Sequence, residues 1–307
     1  MQSPPVSEIA LTEAIKHLAR DASIEINVQD TKHLAASAAL LAPGKKIYVS
    51  HLPKQTWRHT EEACVAVRAA GFDPVPHVPV RLLADELTLE RLLSTLVADA
   101  KVREVLLIAG DYDMAAGPYG SVADVLRSQV LKNAGLARVS LAGHPEGHPK
   151  VGLAEIRRAE REKLHLAARA GLAASLLTQF FFEPRPFLDW LSQLRADGIQ
   201  VRAVAGLAGP ARLATLFKFA LRCGAGPSVR ALGTRPSSLM KLIGDLGPES
   251  LVRSLAQARL SGASDFSRIH LFCFGGYLRT CGWLHGVASG HFRLHENTFL
   301  TDAGHQA

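Results

Sequence analysis

A few isolated polar side chains interrupt or end apolar runs of this 307-residue chain, where they could do chemistry. Glu25 interrupts the run Ser23–Val28, and a carboxyl group among apolar residues has a raised pKa and can act as a proton donor. A structural carboxylate bonded to a buried neighbour is the alternative for Glu25. Gln179 follows the run Leu176–Thr178 and precedes three phenylalanines. A buried amide needs hydrogen-bond partners, and a bound ligand can provide them.

A second group, His144, Glu146 and His148, has the residue types that bind zinc or iron. The intervening Pro145 and Gly147 predict an irregular loop rather than a helix that would place both histidines on one face. We therefore predict no metal site. A metal-dependent barrel hydrolase that uses these residues together with His77 remains an alternative.

Eight short β-prone runs, each followed by a segment of helical periodicity, position these residues. This alternation predicts an α/β fold, a parallel (β/α)8 TIM barrel that forms one domain over residues 1–307, with two extra helices between Gly226 and Asp265 before the last strand. The predicted strands are Ser23–Val28, Lys46–Ser50, Pro74–Val78, Glu104–Ala109, Arg138–Ala142, Ser175–Gln179, Gln200–Ala205 and Arg268–Phe272.

Side chains alternate between the two faces of a strand, so Ser23, Glu25 and Asn27 are predicted to point into the barrel. The other candidate residues follow the carboxyl ends of the predicted strands, which form the active face of barrel enzymes. These strand-end residues are Ser50, His51, His77, Asp111, the segment from His144 to His148, and Gln179.

Composition narrows the classes of partner. The net charge of +7 could attract a polyanion, but the basic residues are interleaved with acids, as in Arg157–Lys163, which predicts solvated helix faces and no nucleic-acid binding. Some of them could attract an anionic small molecule. Four scattered cysteines predict neither disulfides nor a zinc ribbon. No run is long enough to cross a membrane and the amino terminus lacks an export pattern, so we expect a cytoplasmic protein; the sequence leaves homo-oligomerisation open.

Taken in order, these residues resemble the methylenetetrahydrofolate reductases, flavoprotein barrels that reduce the methylene carbon of folate to methyl. Glu25 matches the acid of the family's E-F-F motif and Asp111 lies in its R-G-D segment. His144–Pro149 is similar to its Y-P-E-x-H-P loop. Thr178–Glu183 looks like its T-Q-F-F-F-D segment almost letter for letter.

The resemblance implies a tetrahydrofolate substrate, NAD(P)H and a role in one-carbon metabolism. It implies that Glu25 is the catalytic acid and that Asp111 bonds the pterin and stabilises the cationic intermediate. Gln179 would bond the pterin ring beside a wall formed by Phe180 or Phe182. The cofactor-side positions of the family fall on Ser50, His77, Ala109, His144 and His148.

The departures from the family pattern concentrate on the flavin side. Ala109 replaces the arginine of R-G-D, His144 replaces the tyrosine of Y-P-E, and Ala167 aligns with a lysine that meets the flavin phosphates. Either FAD binds through other residues, such as Lys163, Arg169 or His144, or a nicotinamide dinucleotide passes hydride directly to folate without FAD. We favour direct transfer; a non-catalytic folate-binding relative is a further alternative.

Overall fold

The protein is described by a computed structural model that covers residues 7–110, 112–148, 150–212, 214–216, 218–219 and 245–302. Eight parallel strands form a closed barrel in the order β1-β10-β7-β6-β5-β4-β3-β2. Its strands are β1 Ser23–Ile26, β2 Lys46–Val49, β3 Asp73–Pro79, β4 Glu104–Ile108, β5 Arg138–Gly143, β6 Ala173–Phe180, β7 Arg202–Ala208 and β10 Arg268–Phe272. The predicted TIM barrel and all eight predicted strands are confirmed.

Helices occupy the connections between the strands and cover the outside of the barrel. In chain order they are α1 Glu8–Asp21, α2 Leu34–Ser37, α3 Trp57–Ala69, α4 Glu86–Ala100, α5 Val122–Ser128, α6 Val130–Asn133, α7 Leu153–Arg169, α8 Pro184–Ala196, α9 Glu249–Leu260 and α10 Tyr277–Ser289. Two short antiparallel pairs accompany the barrel, β8 Ala211–Arg212 with β9 Asp245–Leu246, and β11 Phe292–His295 with β12 Thr298–Thr301.

Three apolar clusters follow from the alternation of side chains. The largest lies between strands and helices and includes Ile24 and Ile26 of β1. A second fills the barrel interior around Tyr48 and Leu177. The third, around Phe180, lies where β6, β7 and β10 end. The barrel is therefore a packed core with an aromatic patch at its carboxyl end.

Two local predictions need correction. Asn27 does not line the barrel, because its side chain accepts from the Gln29 amide and caps a 3-10 helix, Val28–His33. The helix expected after β7 is preceded by β8, with residues 214–216 and 218–219 helical. Of the two extra helices expected before the last strand, α9 is present, and the rest of that prediction lies outside the described residues. No helix in the described ranges is long and apolar enough to cross a bilayer.

Candidate active site

Glu25 lies on the inner face of β1, and its side chain is about 20% exposed toward the barrel mouth. Its Oε2 atom is buried and accepts no hydrogen bond from the described residues. Burial raises the pKa of this carboxyl to about 8, because the charged form loses water without gaining a cation. At neutral pH Glu25 is therefore mainly a neutral acid that carries a proton.

Two histidines face this carboxyl. His77 Nε2 lies 3.3 Å and His270 Nε2 lies 3.9 Å from Glu25 Oε2. Burial lowers the pKa of His77 to about 3 and places the pKa of His270 well below its ordinary value. Both imidazoles are thus neutral at physiological pH. They provide no positive charge that would stabilise the ionised form of Glu25. Neither Nε2 atom has a hydrogen bond within the described part of the chain. The two nitrogens and Glu25 Oε2 are therefore three neighbouring polar atoms whose hydrogen bonds a ligand could complete.

His270 was missed by the sequence analysis. It is fully buried on β10, and its Nδ1 atom lies 2.9 Å from the hydroxyl of Ser23, its neighbour in the strand register. The sequence contains the information needed to place His270, because alternation along β10 puts Arg268, His270 and Phe272 on the face that points into the barrel. Applying the inward-face rule to the last strand as well as the first would have found it.

A bulge in β6 arranges the segment that carries Gln179. Leu177 pairs with Val204 and Phe180 with Gly206, so β6 contains one more residue than β7 over this interval. The extra residue lets Gln179 line a groove at the barrel mouth while the next residue, Phe180, also joins the aromatic cluster there. Without the bulge, successive side chains would point to opposite faces.

The aromatic cluster forms an apolar wall beside the mouth. Phe180 lies edge-on to Phe182, Phe272 and Phe274, with ring centroids 5.7, 6.0 and 5.0 Å away. Phe181 points the other way and stacks on Phe187 in the outer core. The structure therefore places both predicted wall residues, Phe180 and Phe182, together at the mouth, where a planar ring could pack.

The groove that Gln179 lines has a volume of about 480 Å³. Three predicted cofactor-side positions also line it, namely Ala109, His144 and His148. Burial, followed by the nearby Lys163 ammonium, lowers the pKa of His144 to about 4, so this ring is neutral at physiological pH. The Nδ1 atom of His148 accepts a hydrogen bond from the Lys150 amide, 3.2 Å away.

The other two predicted cofactor-side residues lie elsewhere. The Ser50 hydroxyl and amide both donate to the Ile26 carbonyl, each at 2.9 Å, so Ser50 ties β2 to β1 and is not on the groove wall. The adjacent His51 lines the groove instead. His77 lies inside the barrel beside Glu25 rather than on the groove wall. Asp111, predicted to be catalytic and to bind substrate, lies outside the described residues.

Lys163 of α7, one of the residues expected to substitute for missing cofactor contacts, lines the groove. Ala167, which we aligned with a phosphate-contacting lysine, is fully buried in the core between helices and barrel and is not among the residues that line the groove. Lys163 lines the groove, and its Nζ donates to the Ala142 carbonyl at 3.0 Å. Burial lowers the pKa of Lys163, with Glu160 opposing the shift. Lys163 therefore gives the groove one of the cations that we expected to substitute for the missing lysine.

The groove can be compared with the needs of a dinucleotide. Its strand-derived wall includes Leu107, Ile108 and Ala142, which suit a planar ring. Its cations are Lys163 and Arg81, and the Arg81 guanidinium also donates to the Tyr112 and Gly120 carbonyls. These groups fit the phosphates of a dinucleotide.

Within the described ranges no group of three His, Cys, Asp or Glu side chains is arranged to hold a metal ion, so the hydrolase alternative has no ligand set there.

A family model described as methylenetetrahydrofolate reductase matches residues 54–225, more than half of the chain. The chain belongs to the methylenetetrahydrofolate reductase family. Among individual relatives, the 5,10-methylenetetrahydrofolate reductase of Pectobacterium carotovorum subsp. carotovorum is 29% identical over 124 residues, which is 40% of this chain and 39% of that protein. The match to this reductase thus spans less than half of its length.

The structural comparison gives dihydropteroate synthase from Thermus thermophilus, with a TM-score of 0.45, 11% identity, and coverage of 86% of this chain and 91% of the other.

The segment matched by the reductase family model begins after β2 and includes His77, Asp111, the His144–His148 loop and Gln179. Glu25 on β1 and His270 on β10 lie outside the matched segment and come to the site through closure of the barrel.

Proposed function

We propose that this protein interconverts 5,10-methylenetetrahydrofolate and 5-methyltetrahydrofolate, with NAD(P)H as the hydride donor in the direction of reduction. The observation that carries the proposal is the Glu25 carboxyl, kept protonated by burial at the barrel mouth and faced by two neutral histidines. Family membership supplies the substrate class. The aromatic wall and Gln179 provide the surface and the amide that a pterin ring requires.

The reaction asks two things of the chain. Opening the five-membered ring of the substrate breaks the bond between the methylene carbon and N10, so N10 needs a proton, and an N5 iminium cation results. Glu25 is the proton donor in the site, and its raised pKa matches this task near neutral pH. Asp111 is proposed to stabilise the cation and bond the pterin, a role that rests on the family motif alone.

The groove positions the hydride donor. We propose that the nicotinamide ring lies against the wall near Ala109 and Ala142, with the phosphates toward Lys163 and Arg81, and passes hydride directly to the iminium carbon. One NAD(P)H and one proton are consumed for each 5-methyltetrahydrofolate formed. A flavin bound in the same groove would supply an intermediate hydride carrier. The residues of the groove suit either dinucleotide.

The test follows oxidation of NADPH or NADH by the purified protein, with and without methylenetetrahydrofolate. We expect folate-dependent oxidation, and we expect Glu25→Gln to lower kcat/KM by roughly 10²- to 10⁴-fold, the usual contribution of general acid catalysis. Glu62→Gln is the control, because Glu62 is an exposed residue of α3. Full activity in Glu25→Gln would remove Glu25 as the acid.

The absorption spectrum of the freshly purified protein separates the two hydride routes. Activity without flavin bands supports direct transfer, and flavin bands that bleach on addition of NAD(P)H support a bound carrier. Tight tetrahydrofolate binding with no turnover under either nicotinamide or added FAD would overturn the reductase proposal in favour of a non-catalytic folate-binding relative.

A further inference from the structure

A second cavity opens at the amino ends of the barrel strands, the end opposite to Glu25. It has a volume of about 390 Å³ and lies between the carboxyl end of α1, the turn before β2 and the start of β10. The polar residues that line it are Arg20, Asp21, Lys45, Lys46, Ser267 and Arg268. The proposed reaction uses none of them.

Positive charge dominates this cavity, with four cationic side chains and one carboxylate in its lining. Lys46 is partly neutralised, because it forms an ion pair with Glu104 inside the barrel. That carboxylate is shared, since Arg138 Nε also lies 3.3 Å from Glu104 Oε2. Arg268 also acts on Glu104 through its charge, so one buried carboxylate serves three cations and the cavity keeps an excess of positive charge.

Lys45 is the cation placed most directly for a ligand. Its Nζ donates to the Arg20 carbonyl at 2.6 Å and, more weakly, to the Ala19 carbonyl at 3.4 Å, at the carboxyl end of α1. An ammonium has three donors, so one remains. Burial lowers the pKa of Lys45 to about 8, although Asp21 opposes the shift. The ammonium is therefore partly desolvated without a full counter-ion.

Arg268 is incompletely bonded as well. Its Nη2 donates to the Tyr48 hydroxyl at 3.2 Å, whereas its Nε is buried and has no hydrogen-bond partner within the described ranges. An unsatisfied guanidinium N–H costs free energy that an acceptor would recover. Two cations of the cavity lining, Lys45 before β2 and Arg268 at the start of β10, therefore both lack a complete set of acceptors among the described residues.

We propose that this cavity binds a small, multiply charged oxyanion of the phosphate class, either free or as the phosphate group of a larger molecule. Several cations around one concave space suit an anion with more than one charge, and guanidinium and ammonium donors match phosphate oxygens. The site is separate from the folate site. It accounts for part of the basic excess of the chain, which the sequence analysis linked to an anionic small molecule.

The experiment is isothermal titration of pyrophosphate, inorganic phosphate and a phosphomonoester into the full chain at low ionic strength, with chloride as the reference anion. We expect one oxyanion per chain. Lys45→Gln keeps an N–H donor for the α1 carbonyls but removes the charge, and we expect binding about tenfold weaker or more, equivalent to about 1.4 kcal/mol. Lys45→Arg should bind nearly as the parent protein does.

Two controls locate the ion. Lys54→Gln removes an exposed lysine after β2, at the other end of the barrel, and should leave affinity unchanged. Lys163→Gln removes one of the two groove cations and should also leave the affinity unchanged. Loss of binding in Lys163→Gln with unchanged binding in Lys45→Gln would move the anion to the groove and overturn the proposal. Equal affinity in all variants, or no heat beyond that of chloride, would also overturn it. Circular dichroism of each variant checks folding.

Discussion

Two glutamates inside the same barrel have pKa values that are shifted in opposite directions. Glu25, near the carboxyl end, is faced by neutral histidines, and burial raises its pKa to about 8. Glu104, at the amino end, is 4% exposed, and burial by itself would raise its pKa, but Lys46 and the hydroxyl of Ser140 lower it on balance. Glu104 is therefore a carboxylate and Glu25 a neutral acid.

The difference shows that the supply of cations, more than depth, sets the protonation state of a buried carboxyl. At the amino end Lys46, Arg138 and Ser140 neutralise and bond the carboxylate, which links β2, β4 and β5. At the carboxyl end no described side chain bonds Glu25 Oε2, and the proton stays on the acid. One end of the barrel thus holds an ion-paired carboxylate, and the other, where the active face of this fold lies, holds a protonated acid.

The largest expected effect comes from replacing the carboxyl group at each end in turn. Glu104→Gln leaves Lys46 and Arg138 without a counter-ion, and we expect a loss of about 2–3 kcal/mol in the free energy of unfolding. This value is below that of a fully buried pair, because both cations are partly exposed. Glu25→Gln should change stability at pH 7 by less than about 1 kcal/mol. Urea denaturation at pH 7 measures both, and equal losses would contradict the comparison.

The pH dependence of stability gives the next largest effect. Because the pKa of Glu25 is raised in the folded state, the folded protein holds a proton that the unfolded chain has released, and stability falls as pH rises toward 8. The lowered pKa of His77 acts in the opposite sense, but only below about pH 6.5, the ordinary pKa of histidine. Between about pH 6.5 and 8 we expect the free energy of unfolding to fall by about 1.4 kcal/mol per pH unit at most.

Denaturation of the parent protein and of Glu25→Gln across this interval isolates the contribution of Glu25. The variant should lose the slope, and Glu104→Gln should keep it, because the pKa of Glu104 is shifted in the other direction. If the slope survives in Glu25→Gln, the pH dependence of stability comes from another group.

The rate of folate reduction should fall above pH 8 for the same reason, since Glu25 then loses its proton.

The sequence was sufficient for the barrel and for much of its mouth. Strand alternation placed Glu25 inside, and strand-end position brought Gln179, Phe180, Phe182 and His144 to one region, because parallel strands of a barrel end at the same face. These inferences depend only on local pattern and on closure of the sheet. They needed no knowledge of neighbouring side chains.

What the sequence could not supply depended on register and on packing between distant segments. The pairing of β1 with β10, which places His270 against Ser23, joins residues 247 positions apart. The hydrogen bond that the Ser50 hydroxyl donates goes to the Ile26 carbonyl of the neighbouring strand, which the local sequence does not reveal. Whether Lys163 or Ala167 reaches the groove depended on how α7 packs along the barrel. Each is a matter of one residue or one helical turn, finer than periodicity resolves.

The smallest expected effect compares two serines, one next to His270 and one in the Glu104 network. Ser23→Ala removes the hydroxyl that lies 2.9 Å from Nδ1 of the buried His270, and Ser175→Ala removes the hydroxyl that lies 2.8 Å from Ser140 in the Glu104 network. Each should cost about 1 kcal/mol of stability, the typical value of one buried hydrogen bond. Only Ser23→Ala should alter the pH profile of kcat, because its hydroxyl contacts the histidine that faces Glu25, whereas Ser175 contacts Ser140 in the Glu104 network. An equal change of the pH profile in both variants would mean that the two ends of the barrel are coupled, and the separation of stability from chemistry would fail.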